Sequence, residues 1–134
     1  LIDCPPSLSL LTVMALVASN SVIVPLQAEF FALEGLTQLL KTINRIKSSL
    51  NKRLEVEGIV LTMFDKRNNL SRQVEEDVRD NLKGLVYQSV IPRSVKLSEA
   101  PSYGKSIFDY SPRSKGASAY KALALEILAR HDVN

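Results

Sequence analysis

The sequence predicts an α/β domain, a parallel β-sheet with helices on both faces. Three observations predict it. Short apolar, β-branched runs alternate along the chain with longer segments whose apolar residues recur every three or four positions. The short runs are continuously apolar rather than alternating, as in strands buried on both faces. Each run is separated from the next by enough residues for a helical crossover, and such crossovers are right-handed.

The elements follow in order. Leu1 to Cys4 reads as the tail of a buried strand, stopped by Pro5-Pro6 because proline donates nothing to a ladder. Ser7 is the expected N-cap of a helix through Leu11, Met14 and Val17, which Asn20 ends. Ser21 to Leu26 is a second strand. Leu33, Leu36, Leu40, Ile43, Ile46 and Leu50 then mark one face of a long helix, broken at Asn51 and Lys52. Val56 to Met63 is a third buried strand. Leu70, Val74, Val78 and Leu82, with Glu75, Glu76, Asp77 and Asp80 between them, form an amphipathic surface helix that stops at Gly84.

Val86 to Ile91 is a fourth strand, closed by Pro92. Residues 93–116 carry Pro101, Gly104, Pro112 and Gly116 and read as irregular, and a segment of that length inside a compact domain is expected to be functional. Ala117 to Arg130 is a closing helix, with Tyr120, Leu123, Ala124, Ile127 and Leu128 expected on its inner face. Ligands of such sheets sit beyond the carboxyl ends of the strands. Those ends are Asp3 to Pro6, Pro25 to Gln27, Thr62 to Asp65 and Ile91 to Arg93.

Composition excludes several classes. A chain of 134 residues, 46% hydrophobic and 23% charged, fits one soluble globular domain and is too apolar for a disordered one. Polar residues interrupt every apolar run, so no segment is expected to span a bilayer, and no basic flank marks a signal peptide. A single cysteine, Cys4, allows no internal disulfide and suggests a reducing, cytoplasmic setting; it is expected to be a small buried residue. The net charge of +3 arises from residues 65–134 and is compatible with nucleic acid. The sequence opens at Leu1, inside an apolar run, and so reads as a segment whose natural start lies upstream.

Asp3 ends an apolar strand before a turn, where a carboxylate suits the water shell of a Mg²⁺ held on nucleotide phosphates. By itself it is better read as a cap of that turn. Gly104-Lys105-Ser106 mimics the end of a phosphate loop, but Glu99 stands where G-x-x-x-x-G-K-S/T requires glycine and no strand leads directly into it.

Asp3-Cys4-Pro5-Pro6-Ser7-Leu8 resembles the D-x-P-P-S-L segment of the ParA/Soj family of chromosome- or plasmid-partitioning ATPases. Val24-Pro25-Leu26-Gln27, Phe31 to Gly35, and Leu61-Thr62-Met63-Phe64-Asp65 are similar to further segments of that family. So are the run from Ile91 to Lys105 and the run from Asp109 to Gly116. Together they span the whole chain, in order.

The resemblance implies that residues 1–134 are the C-terminal part of a single P-loop NTPase-like domain, its N-terminal strands and phosphate loop lying upstream. It makes Asp3 the Walker B aspartate, catalytic and near Mg²⁺ through water. Pro92 and Ser94 would line the adenine pocket, flanked by Thr62 and Met63. The family often carries Asn where this chain has Ser94, so the amide's two-way contact with a base is absent. Arg67 and Lys96 would bind DNA non-specifically, with Arg93 and Lys66 adding to the patch, whereas Arg72, within the acidic helix, is better read as an ordinary solvated residue.

The intact protein is then expected to bind ATP and Mg²⁺, form a homodimer, bind DNA and hydrolyse ATP when a ParB-type centromere-binding partner stimulates it. Its setting would be the cytoplasm, associated with the nucleoid. The closing helix lacks a basic polar face, which argues against a membrane anchor. As given, the chain is expected neither to hold ATP tightly nor to hydrolyse it, and to be marginally stable or self-associating. The alternatives are a non-catalytic module that binds DNA or a partner, and a related ATPase that positions protein cargo.

Overall fold

A computed structural model describes residues 1–5 and 9–132. Its sheet has three parallel strands in the order β1 (Ser21–Gln27), β2 (Glu55–Phe64), β3 (Val86–Pro92). The first two crossovers are the helices α2 (Ala32–Ser49) and α3 (Asn69–Asn81). Helix α1 (Leu10–Ala18) precedes the sheet and α6 (Lys115–Asp132) follows it.

Helices cover both faces. On one, Leu36 of α2 and Val74 and Val78 of α3 pack on Val24, Leu26, Ile59, Leu61 and Val86. Leu16 of α1 joins Ile43, Ile46 and Leu54 beside them. On the other face Leu123 of α6 packs on Val60, Tyr87 and Ile91, with Ile127 beside it. Burial of each such aliphatic side chain contributes about 1.5–3 kcal/mol.

The expected first strand does not form. Residues 1–5 lie in no ladder, and Leu1, Ile2, Asp3 and Cys4 are all exposed. An apolar run becomes a strand only where another strand meets its amides, and no described strand meets these. Cys4 is therefore not the buried residue expected. Ser7 lies outside the described residues; α1 opens after Ser9 instead.

Helix α1 turns Thr12 and Leu16 inward and leaves Leu11, Met14 and Val17 outside. Its segment is apolar nearly all round, so spacing does not choose the buried face. Residues 93–116 are not irregular. They hold α4 (Val95–Glu99), a 3₁₀ turn (Ala100–Tyr103) and α5 (Ile107–Tyr110). In α5 the Ser106 hydroxyl accepts from the Asp109 amide at 3.2 Å and donates to the Asp109 carboxylate at 2.7 Å, which is local capping rather than periodicity. On α6, Ala124 and Leu128 are exposed and Tyr120 is 40% exposed, so only Leu123 and Ile127 of the expected inner face lie against the sheet.

Strand β3 has an unusual outer edge. Ile59 pairs with Val86 and Leu61 with Val90, so two steps along β2 face four along β3. The bulge leaves consecutive amides of Gln88 and Ser89 unpaired in the ladder. The Glu126 carboxylate accepts from both, at 2.7 and 2.9 Å. Arg79 of α3 donates to the Tyr87 carbonyl at 3.1 Å and Arg130 of α6 to the Val86 carbonyl at 3.2 Å. Arg130 also stacks over the fully buried Tyr87 ring, 4.0 Å from its centre. Gly58 is required beneath that ring, because a Cβ there would lie 2.3 Å from Tyr87 Cε2.

Candidate functional site

The carboxyl ends of β2 and β3 lie side by side. Phe64 pairs with Pro92, and the Arg93 amide donates to the Phe64 carbonyl at 3.1 Å. Beyond them opens a groove of about 400 Å³, lined by Thr62 and Met63 from β2, Ile91 to Val95 from the end of β3, Leu97 and Ser98 from α4, and Tyr120 from α6. Four sequence-predicted nucleotide residues, Thr62, Met63, Pro92 and Ser94, thus share one concavity. A space of this size suits a small ligand or part of a larger one.

Local structure shapes this groove. Met63 has φ +50°, in the left-handed region that a side chain rarely occupies. Such a conformation costs about 1–2 kcal/mol and falls where the pairing of β2 with β3 shifts register, between Leu61 and Phe64. The Met63 sulfur accepts from the Gln27 amide nitrogen at 3.1 Å, tying the ends of β1 and β2 together. Ser94 stands at the start of α4, and its hydroxyl caps no amide of that helix.

Apart from Arg93, the lining side chains are uncharged. Apolar walls with a few hydroxyls and backbone groups suit a planar, neutral heteroaromatic ring better than a bare anion. Ile91, Val95, Leu97, Ser98 and Tyr120 were not anticipated as lining residues. Arg93 was expected on a DNA surface and also borders the groove.

Asp3 is exposed and is not among the residues lining the groove. Among the described residues no cluster of three or more acidic, His or Cys side chains forms a cage for a metal ion.

The predicted basic residues fall into two neighbourhoods. Arg67 lies just past β2, with its side chain 91% exposed and paired to Asp65 at 3.2 Å. Asp65 also accepts from the Arg67 amide at 3.0 Å. The Arg67 side chain first, then that amide, and more distantly the Arg93 charge hold the Asp65 carboxyl below its usual range. Lys96, on α4, is exposed, pairs with Glu99 at 3.2 Å and sits 5.5 Å from the centre of the Tyr110 ring. Tyr110 donates to the same Glu99 at 2.9 Å and stacks on Tyr103. Arg72 hydrogen-bonds to Asn69 within α3. Exposed ion pairs of this sort contribute little to stability and leave the cations accessible to phosphate.

Among the described residues no helix is long and apolar enough to cross a membrane. His131, at the end of α6, meets Glu57 at 2.9 Å. Glu57 also accepts from Ser21 at 2.6 Å, so this polar cluster lies at the end of the sheet where the strands begin, remote from the groove.

Comparison with known proteins gives a consistent result. A family model described as an AAA domain matches residues 1–56. The chain is 58% identical over 130 residues to the chromosome partitioning protein ParA of Caulobacter vibrioides, covering 97% of this chain and 49% of that protein. It is 55% identical over 129 residues to the sporulation initiation inhibitor protein Soj of Bacillus subtilis, covering 96% of this chain and 51% of that protein.

Among solved structures it resembles the cell division ATPase MinD of Pyrococcus furiosus, with a TM-score of 0.75 and 25% identity over 95% of this chain and 50% of that one. It also resembles cobyrinic acid a,c-diamide synthase of Mycobacterium smegmatis, solved with bound ADP and magnesium, with a TM-score of 0.70 and 38% identity over 92% of this chain and 44% of that one. The chain spans about half the length of the curated relatives it matches.

Proposed function

The chain belongs to the ParA/Soj family of partitioning ATPases, and from that premise we propose that its intact protein is an ATP-dependent DNA-segregation ATPase whose nucleotide base occupies the groove at the ends of β2 and β3. The observation that carries this reading is the convergence of Thr62, Met63, Pro92 and Ser94 on one groove. These residues come from two segments far apart in sequence, and both resemble the family.

Within the groove the residues divide the work. Pro92 and Met63 offer apolar surface to a base, while Thr62 and Ser94 offer hydroxyls to its polar edge. Asp3 would orient the water around Mg²⁺, and the bound nucleotide and metal supply the phosphoryl chemistry. Arg67, Lys96 and Arg93 would attract the DNA backbone, an interaction independent of base sequence and strongly dependent on salt. Homodimerisation with ATP, stimulation by a ParB-type partner and association with the nucleoid complete the reading.

ATP turnover by the full-length gene product, with and without DNA and a ParB-type partner, tests it. Stimulated turnover that Asp3→Asn abolishes is the expected result. A full-length protein that binds no ATP would overturn the proposal. The likeness to MinD supports a second reading, an ATPase that positions protein cargo. DNA binding that is salt-independent and indifferent to Arg67 and Lys96 would favour it.

A further inference from the structure

Tyr120 stands apart from the rest of the groove. It comes from α6, the last helix, rather than from a strand end. Gly116 fixes the start of that helix, because a Cβ there would lie 2.7 Å from Leu97 Cγ. The glycine lets the first turn of α6 press directly on α4. Tyr120 is four residues later and so lies on the same helix face. That face continues through Leu123 and Ile127, which pack on the sheet.

The apolar stripe thus runs one turn past the sheet, and its last member, Tyr120, overhangs the strand ends. Its ring is 40% exposed, and among the described residues no aromatic ring stacks on it and no hydrogen bond engages its hydroxyl. A large planar side chain is therefore held at the groove by its helix while its ring remains unpartnered.

We infer that Tyr120 is a base-binding residue of this groove: its ring supplies the aromatic surface on which a nucleotide's purine base stacks. The inference rests on the nucleotide reading above and goes one residue beyond it. Stacking needs a flat, neutral, polarisable partner, and a purine meets that need whereas a bare phosphate chain does not. Aromatic stacking on a base contributes enough that removing the ring weakens binding roughly tenfold to a hundredfold.

The test is calorimetric titration of the full-length gene product with ATP and, separately, with inorganic tripolyphosphate, each with magnesium. Tyr120→Ala is expected to weaken ATP binding roughly tenfold to a hundredfold while leaving tripolyphosphate unchanged. Tyr120→Phe keeps the ring and is expected to bind ATP as the parent does. If Tyr120→Ala does not fold, Tyr120→Leu keeps the apolar bulk and removes the ring. Equal ATP affinity in the ring-less variant would overturn the inference alone. So would an equal loss for ATP and tripolyphosphate, or a loss in Tyr120→Phe as large as in Tyr120→Ala. A parent protein that fails to bind ATP would overturn the nucleotide reading itself, and with it the role of Tyr120.

Discussion

Replacing Glu126 by alanine removes the acceptor for two adjacent β3 amides. The Glu126 side chain is only 20% exposed, and its bonds to Gln88 and Ser89 are short, at 2.7 and 2.9 Å. A hydrogen bond to a charged group contributes about 1.5–3 kcal/mol, and amides left without a partner lose hydration as well. The two bonds share one carboxylate and are not additive, so the expected cost is about 2–4 kcal/mol. In a domain of this size that lowers the melting temperature by roughly 6–12 °C.

The effect carries a pH signature. Burial would raise the Glu126 carboxyl, but the Gln88 and Ser89 amides and the Arg130 charge outweigh it and hold the group below its usual range. A depressed folded-state value means the stabilisation is complete above the unfolded value, near pH 4.3, and is lost as pH falls through the folded one. Urea unfolding followed by circular dichroism at pH 7 and at pH 3 is the assay. Glu126→Ala and Glu126→Gln are expected to lose most at pH 7 and less as pH falls through the folded value. A Glu126→Ala protein within about 0.5 kcal/mol of the parent at pH 7 would refute the argument, because that is the range of substitutions that touch nothing important.

Other outcomes follow from the same geometry. Gly58→Ala is expected to destabilise by about 1–3 kcal/mol, because the new methyl meets the buried Tyr87 ring; an unchanged urea midpoint would contradict the clash. Gly104→Ala meets no atom but sits at φ +61°, so a smaller loss of about 1 kcal/mol is expected, read in the same assay. Met63→Gly relieves its left-handed backbone and is expected to leave the melting temperature unchanged or higher while weakening ATP binding by the full-length product; a large drop in stability would show that the side chain, not the backbone, matters there. In that same product, Arg67→Ala combined with Lys96→Ala is expected to weaken DNA binding and lower its salt dependence by about two released counterions. An unchanged slope would remove both residues from the interface.

The strands from Ser21, Val56 and Val86 were legible in the sequence because burial on both faces leaves little room for polar residues. Helices α2 and α3 were legible from their spacing, since each has one wet and one dry side. The run at Leu1 was misjudged because a strand is defined by its neighbour, and no local pattern reveals whether that neighbour is there. Helices α4 and α5 have five and four residues, too few for a period to show; α5 has its Ser106 cap, and α4 is packed through Leu97 against Gly116. In the groove, Thr62, Met63, Pro92 and Ser94 came from a family resemblance rather than from spacing. Tyr120 escaped that reading because its place depends on how far α6 overshoots the strands, which is a property of packing. The four-residue interval from Gly116 was the one available hint.

The bulge in β3 has a consequence for how the sheet can grow. Side chains of α3 and α6 occupy the outward backbone groups of Tyr87, Val86, Gln88 and Ser89, so a newcomer strand would have to displace Arg79, Arg130 and Glu126 before its first ladder bond formed. Strand β1 stands at the opposite border of the described sheet. Extension is therefore directional: one border is closed by its own helices, and any further strand, from this polypeptide or another, meets the lower barrier beside Ser21–Gln27.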